Sequence, residues 1–184
     1  MAGTAKVRLV SNALLLLGGQ TISSFDDNST GAVLGENLFD TTYKAMLQNH
    51  RWGFAKKTKA LSRLSDTPNG DYQYAFLLPS DFLYLAKGSS YKFDLVGDTI
   101  QTNDKEFELE YIASVSEDRL PEYFAKALEF NLASLFAIPL TGDIDKSNYY
   151  SKVFIDQLRK AKAADSTMYP EVSIQDTPYL NVRY

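Results

Sequence analysis

The fold is decided at residues 49–55, where the chain reads Asn49-His50-Arg51-Trp52-Gly53-Phe54-Ala55. Before this stretch, apolar residues recur at the 3.6-residue spacing of amphipathic helices. After it, short alternating runs rich in Phe, Tyr, Leu and Thr are separated by turn residues, which is typical of antiparallel strands. Because Gly53 allows a tight change of direction, residues 49–55 predict an exit from helix into strand that closes an N-terminal helical hairpin.

Two helices are predicted before this boundary. Thr4 can cap a short apolar helix over about residues 4–18, which the Gly18-Gly19 pair ends. The polar segment 25–29 leads into a longer helix over about residues 29–49. The two helices together predict an N-terminal hairpin.

A β region is predicted over about residues 53–115. Residues 95–100 predict a hairpin tip between strands at residues 91–94 and 99–102. Residues 107–115 predict a further strand. We therefore expect a small antiparallel β region inserted between the second and third helices.

Two more helices follow the β region. An apolar face from Phe124 to Phe136 predicts a third helix over about residues 117–138, which we expect to end before Pro139. A fourth helix is predicted over about residues 143–166. The expected fold is α+β, with an antiparallel four-helix bundle-like core, the β insertion and an extended C-terminal tail. Residues 1–169 would form a single domain, and residues 170–184 an extended arm.

Composition narrows the class of protein. The 184 residues include no cysteine, which excludes disulfides, a thiolate zinc site and a cysteine nucleophile, and suits assembly in a reducing cytoplasm. The net charge is −4, so no overall basic field attracts nucleic acid. The apolar run 10–17 falls short of the roughly 20 residues that a membrane span needs. We expect no membrane association.

Residues suited to chemistry are few. His50 is the single histidine, and we interpret it as a helix-end residue without a catalytic role. A calcium loop starting at Asp143 would need Gly at its sixth position and Glu at its twelfth, which are Asn148 and Phe154. Helix capping accounts better for the acidic pairs at 26–27 and 143–145. The sequence thus predicts no catalytic, cofactor or metal site.

One cluster of basic residues stands out. It consists of Arg51, Lys56, Lys57, Lys59 and Arg63. With Trp52 and Phe54 nearby, it could contact a nucleic-acid backbone. A solvated strand face or a salt-bridge surface between subunits is the interpretation we favour, because surface charge runs usually have that role.

Several phrases of the chain occur in a characteristic order. The first phrase is residues 11–18, Ser-Asn-Ala-Leu-Leu-Leu-Leu-Gly, followed by an acidic loop and residues 49–55. The second is Tyr74-x-Phe76-x-Leu78-Pro79-x-Asp81-Phe82-Leu83-x-Leu85. The third runs from Leu120-Pro121-x-x-Phe124-x-x-Ala127-Leu128 to Leu135-x-Ala137-x-Pro139-Leu140-Thr141-Gly142. Over about residues 5–165 this order resembles the tail tubular protein A family of podoviruses and related prophage neck proteins.

The resemblance implies a head-to-tail adaptor subunit of a tailed bacteriophage. Such a subunit forms a ring, expected to contain twelve copies, between the portal protein and a tail nozzle protein like tail tubular protein B. DNA would pass through the lumen without specific binding, and the acidic balance suits such passage. The resemblance places the subunit in the virion neck, assembled in the cytoplasm of the host bacterium, and implies no enzymatic activity.

The predicted arm carries candidate contact residues for the portal or a neighbouring subunit. They are Tyr179, Leu180, Val182, Arg183 and Tyr184. An arm that becomes ordered on docking is one interpretation, and a frayed terminus is the other.

Two further hypotheses remain open on the sequence. A nucleic-acid-binding accessory domain would use the basic cluster and predicts strongly salt-dependent binding to DNA. A phage hydrolase would need a carboxylate pair with separated pKa values, for which the candidate residues are Asp26, Asp27, Glu110 and Asp143.

Overall fold

The computed structural model describes residues 2–65, 68, 71–86 and 92–169, and side chains from Thr4 onward. The predicted arm at 170–184, with all its candidate contact residues, lies outside these ranges. Within them the chain forms four α-helices and six strands. The helices are α1 (Ala2–Leu16), α2 (Thr30–Gln48), α3 (Glu122–Thr141) and α4 (Ile144–Met168). The strands are β1 (Lys56–Ala60), β2 (Tyr74–Leu77), β3 (Phe82–Leu85), β4 (Phe93–Val96), β5 (Thr99–Thr102) and β6 (Glu108–Ala113).

The four helices share one hydrophobic core, and we call them the helical unit. Large side chains from several segments fill this core, among them Leu14, Phe39, Leu47, Trp52, Phe124, Leu128 and Phe136. The α3 and α4 helices form an antiparallel hairpin that turns at Gly142, whose φ of +65° favours glycine. The hydroxyl of Tyr150 on α4 donates to the carbonyl of Leu16 at the end of α1. The hairpin is therefore tied to the N-terminal helices.

The strands form two three-stranded antiparallel sheets, which we call the β unit. The first sheet has the order β1-β6-β3 and the second the order β2-β5-β4. Residues 56–64 belong to both sheets: Leu61 N–H donates to the Phe107 carbonyl at 2.9 Å, and Leu64 N–H donates to the Ala75 carbonyl at 2.8 Å. A second hydrophobic core lies in the β unit, formed by Phe76, Ile100, Phe107, Leu109, Tyr111 and Ala113.

The first sheet lies between the two cores. Along β6, Tyr111 and Ala113 pack into the core of the β unit, whereas Ile112 packs into the core of the helical unit. Successive side chains of a strand point to opposite faces, so one sheet can serve both cores. The β unit is thus a packed layer against the helices.

The chain is α+β, but the expected four-helix bundle-like core with a small β insertion is wrong. The six strands build two sheets with a core of their own, and one sheet covers part of the helical core. Alternating apolar residues announce strands without indicating whether those strands form one sheet or two packed layers. The hairpin expected near residues 91–102 is confirmed as β4 and β5, joined at Gly97-Asp98.

The limits expected for the third helix are also corrected. Residues 117–119 form a short 3-10 turn, and α3 begins only after Pro121. The helix does not end before Pro139 but continues to Thr141. A proline removes the N–H that would bond the carbonyl four residues earlier, and Leu135, which carries that carbonyl, is exposed to water. In the last turn of a helix this loss is tolerated.

Candidate functional site

The basic cluster predicted from the sequence is divided by the fold. Lys56, Lys57 and Lys59 lie on β1, whose residues are all exposed at the edge of the first sheet. Arg51 lies in the loop before β1. Arg63 reaches the second sheet, where its guanidinium lies 4.8 Å from the centre of the Tyr74 ring. The lysines alone share one strand.

Two of these lysines face carboxylates of the same chain. The Lys57 ammonium lies 2.6 Å from Asp81, and the Lys56 ammonium lies 3.8 Å from Glu110. Within the described ranges, Lys59 forms no ion pair. A DNA phosphate would have to compete with the carboxylates for the first two lysines. The edge is therefore basic mainly at Lys59.

Asp81 joins β1 to the loop before β3. It accepts hydrogen bonds from Lys57 and, at 2.9 Å, from the Tyr111 hydroxyl. Burial opposes ionisation of Asp81, but the bonds from Lys57 and Tyr111 outweigh it and lower the pKa of this carboxyl. Burial and the Asp81 bond raise the pKa of Tyr111 to about 12. At neutral pH an ionised carboxylate and a protonated phenol brace the sheet, and neither is poised to exchange protons.

A second polar cluster lies where α2, α4 and the start of the β unit meet. Asp165 is only 2% exposed and accepts hydrogen bonds from Gly53 N–H and from the Tyr123 hydroxyl, both at 2.8 Å. The Nε2 atom of His50 lies 3.8 Å from the same carboxylate. Burial and the Asp165 bond raise the pKa of Tyr123. Both carboxylate oxygens are thus engaged by the chain itself.

Asp165 was missed by the sequence interpretation. Its partners Gly53 and Tyr123 lie 112 and 42 residues away, so no local spacing announces the contact. One signal was present: Asp165 follows Ala161 by one helical turn, and both are the buried residues of α4. A charged residue on the buried stripe of a helix indicates a partner from another segment.

An open cleft of about 620 Å³ lies beside this cluster and is lined by Gln48, Asn49, His50, Arg51, Tyr84, Asp165, Ser166 and Tyr169. Throughout the described residues, every buried side-chain nitrogen or oxygen has a hydrogen-bond partner. No buried polar group is therefore left waiting for a ligand. The cluster acts as a brace between the helical unit and the β unit.

The acidic pairs have two different roles. Asp143 caps α4 by accepting from Lys146 N–H at 3.0 Å, which confirms helix capping there. The capping expected at 26–27 is wrong, because Ser29 caps α2. Asp27 instead accepts from the N–H groups of Ser23 and Ser24, which lower the pKa of its carboxyl. Asp27 therefore stabilises the turn of residues 23–27 and does not cap α2.

Among the described residues, no group of three or more His, Cys, Asp or Glu residues is placed to hold a metal ion. None of the described helices combines the length and the apolar character needed to cross a bilayer.

Exposed apolar side chains concentrate on the α3–α4 hairpin. They are Leu135, Ile138, Ile144, Tyr149, Ile155 and Met168, which we call the hairpin group. Leu135 and Ile138 are three residues apart, so they share one face of α3, and Ile144 and Ile155 likewise share one face of α4. A smaller group, consisting of Leu77, Leu95 and Val96, lies on the second sheet. Exposed apolar groups of this kind are candidate contact surfaces.

Comparison with known proteins adds no assignment. No model of a known protein family matches the chain, and no curated protein matches it.

Proposed function

We propose that this chain is a head-to-tail adaptor subunit of a tailed bacteriophage. It acts by forming a ring of identical subunits, expected to be twelve, between the portal protein and the tail nozzle protein. The observation that carries the proposal is the hairpin group of exposed apolar residues on α3 and α4. The order of sequence phrases over residues 5–165 resembles the tail tubular protein A family. This resemblance is the reason for proposing a phage neck as the assembly that the subunit joins.

The distribution of polar groups supports a contact role. Asp165, the most buried carboxylate among the described residues, is held by Gly53 and Tyr123 of the same chain. The ionised Asp81 is held by Lys57 and Tyr111. These groups brace the fold and leave the exposed apolar residues as the features that call for a partner.

The charge distribution supports DNA passage in preference to DNA retention. The net charge is −4, and two of the three β1 lysines face carboxylates. A basic lining would hold phosphates through counterion release, whereas a weakly acidic one lets them slide.

The test is the mass of the protein in solution, measured by light scattering behind a sizing column. The protein is measured alone and after addition of the portal ring encoded by the same genome. We expect a stoichiometric ring of subunits to form on the portal. If the measured mass shows that the protein binds neither the portal nor the nozzle protein, the proposal is contradicted.

A matched pair of variants locates the contact. Ile138→Asp and Ile155→Asp place charges in the hairpin group and should weaken assembly. Lys146→Asp, on the exposed surface of the same hairpin, is the control. If the wild-type protein ignores the portal but binds DNA with an affinity that falls steeply with salt, the accessory-domain hypothesis replaces the adaptor.

A further inference from the structure

We propose that neighbouring subunits join head to tail, with the acidic, apolar end of the helical unit in one copy packed against the outer face of α4 in the next. The inference rests on the proposed ring and specifies the contact between its subunits. The partner of the acidic end is a second copy of this chain, because the two surfaces complement each other in charge and in exposed apolar side chains.

One end of the helical unit, which we call the tip, brings together the end of α1, the start of α2 and the turn between α3 and α4. An open cleft of about 640 Å³ lies there, and its lining includes Leu14 of α1, Gly31 of α2 and Leu140 of α3. The hydroxyl of Tyr150 on α4 donates to the carbonyl of Leu16 on α1, which holds α4 at the same end. All four helices therefore contribute to the tip.

Apolar side chains are exposed around the tip. One or more comes from each helix, within two turns of the tip: Leu15, Val33, Leu135, Ile138 and Ile144. Ile144, at the start of α4, is 63% exposed. The segments 9–25, 28–35 and 130–142 contain no charged residue. The tip thus offers a largely uncharged surface with several side chains that favour burial.

The charges that do lie at the tip are mostly negative. Four carboxylates lie in the loop before α2 and at the start of α4: Asp26, Asp27, Asp143 and Asp145. None of the four forms an ion pair within the described residues. Over residues 9–35 and 130–148 the single basic residue is Lys146. An apolar surface with this charge fits a partner that offers an apolar side chain between basic ones.

The middle of α4 offers such a surface, which we call the α4 face. Ile155 is 54% exposed and lies three residues after Lys152 and four before Arg159, so the three side chains share one side of the helix. Both basic residues are exposed. The α4 face points away from α3, because Leu158 and Ala161, on the other side of the helix, pack in the helical core.

The basic residues of the α4 face keep a net positive charge. Asp156 is the acidic residue beside them, and its carboxylate lies 2.7 Å from the Lys160 ammonium. The charge of Arg159 also helps to lower the pKa of Asp156. Because Lys160 balances Asp156, Lys152 and Arg159 remain available to carboxylates of another chain.

Each surface fits the other better than it fits itself. Two tips placed together would bring carboxylates into contact, and two α4 faces would bring Lys152 and Arg159 against their own copies. A tip against an α4 face instead covers Ile155 and Ile144 and places opposite charges around them. The contact is therefore heterologous, and such contacts close into a ring when the rotation per subunit divides the circle.

Cross-linking tests which surfaces meet, because the natural chain has no cysteine. A tagged protein with Ile144→Cys at the tip is mixed with an untagged protein with Ile155→Cys on the α4 face, and a short thiol-reactive cross-linker is added. We expect heterodimers to exceed the homodimers of either variant. In the matched control, Lys44→Cys on the exposed surface of α2 replaces Ile144→Cys, and few heterodimers should form.

Charge exchange provides a second readout, measured by sedimentation at increasing protein concentration. Lys152→Glu with Arg159→Glu, or Asp26→Lys with Asp145→Lys, should weaken association roughly 3- to 100-fold, because repulsion replaces two exposed attractive pairs. The chain that carries all four changes should associate within about fivefold of the wild type, since the attraction is re-formed with its signs exchanged. Lys44→Glu, the control, should leave association unchanged. Urea denaturation of each variant checks that it is folded.

The outcomes separate this inference from the proposed function. A complete ring on the portal without heterodimers, or without recovery in the chain with all four changes, overturns the contact between tip and α4 face and leaves the adaptor intact. If the tip changes abolish binding to the portal while the α4 changes leave assembly unaffected, the tip faces the portal and the inference is likewise overturned.

Two further outcomes concern the adaptor itself. Heterodimers and recovery in a protein that binds neither the portal nor the nozzle protein support the contact and contradict the adaptor. Failure both to cross-link and to assemble overturns both.

Discussion

The helical unit and the β unit satisfy their main-chain hydrogen bonds in different ways. In the helical unit each helix satisfies its own main-chain hydrogen bonds, and the side chains of α3 meet those of all its neighbours. In the β unit the second sheet ends at β4, whose outer side has no neighbouring strand among the described residues. Helices can be finished within one chain, whereas a short sheet leaves edges that a second chain can complete.

The contrast also holds for charge. Asp165, one of two buried carboxylates described in the helical unit, is held by donors at 2.8 Å from Gly53 and Tyr123. The main carboxylate of the β unit, Asp81, is part of an exposed pair with Lys57. We therefore expect changes at the buried carboxylate of the helical unit to affect folding more strongly than changes at the exposed pair of the β unit.

The largest effect should come from the helical core. Phe136→Ala and Leu128→Ala remove fully buried side chains and should each lower the free energy of unfolding by roughly 2–5 kcal/mol, measured by urea denaturation. Leu135→Ala, at the adjacent exposed position, should cost about 1 kcal/mol or less. Equal losses at Phe136 and Leu135 would mean that α3 does not bury the face described.

The brace between the units comes next. Asp165→Ala leaves the Gly53 N–H and the Tyr123 hydroxyl without their acceptor and should cost roughly 2–4 kcal/mol. Asp156→Ala on the same helix breaks only an exposed pair with Lys160 and should change stability by about 0.5 kcal/mol or less. If the two variants unfold at the same urea concentration, Asp165 does not brace the units.

A smaller effect is expected at the boundary glycine. A Cβ on Gly53 would lie 2.2 Å from Cγ of Tyr169, so Gly53→Ala should destabilise by roughly 1–3 kcal/mol. Adding Tyr169→Gly removes Cγ and also Cβ, which would lie 2.4 Å from the new methyl group, and should recover most of the loss in thermal denaturation. Failure of the second change to recover stability would show that Gly53 is required for another reason.

The smallest effect should come from the exposed pair in the β unit. The lowered pKa of Asp81 means that its ionised form stabilises the fold above its ordinary pKa of 3.8, and that this contribution is lost as the pH falls through the lowered value. Asp81→Asn should therefore cost about 1 kcal/mol or less at pH 7. The difference from the wild type should narrow below pH 4. A difference that widens in acid would contradict the sign of the shift.

Much of the local structure was predictable. The helical period places Leu128 and Phe136 on the buried face of α3, and the turn at Gly97-Asp98 identifies the hairpin of β4 and β5. Both signals depend on neighbours within a few residues. Pro139 gives a wrong prediction for the end of α3. The free-energy cost of a proline in a helix depends on whether the carbonyl that loses its hydrogen bond is exposed to water.

Residues far apart in the sequence could not be paired in this way. The bond between Asp165 and Gly53 spans 112 residues, and the ion pair between Lys57 and Asp81 spans 24. The sequence groups the basic residues into one patch, yet within the described residues Lys56 and Lys57 face carboxylates and Lys59 forms no ion pair. The side chains that neutralise a charge come from strands and helices whose arrangement no local pattern encodes.

The sequence by itself determined the absence of cysteine chemistry, the helical faces, and the boundary at residues 49–55. These follow from composition and from spacings of two to four residues, which local sterics and hydrogen bonding convert directly into structure. Only the tertiary structure decided that the strands form two sheets and that the first sheet serves two cores. Those features depend on which strands pair although they lie far apart in the sequence. Alternation of apolar and polar residues defines the two faces of a strand, but it does not say what packs against either face.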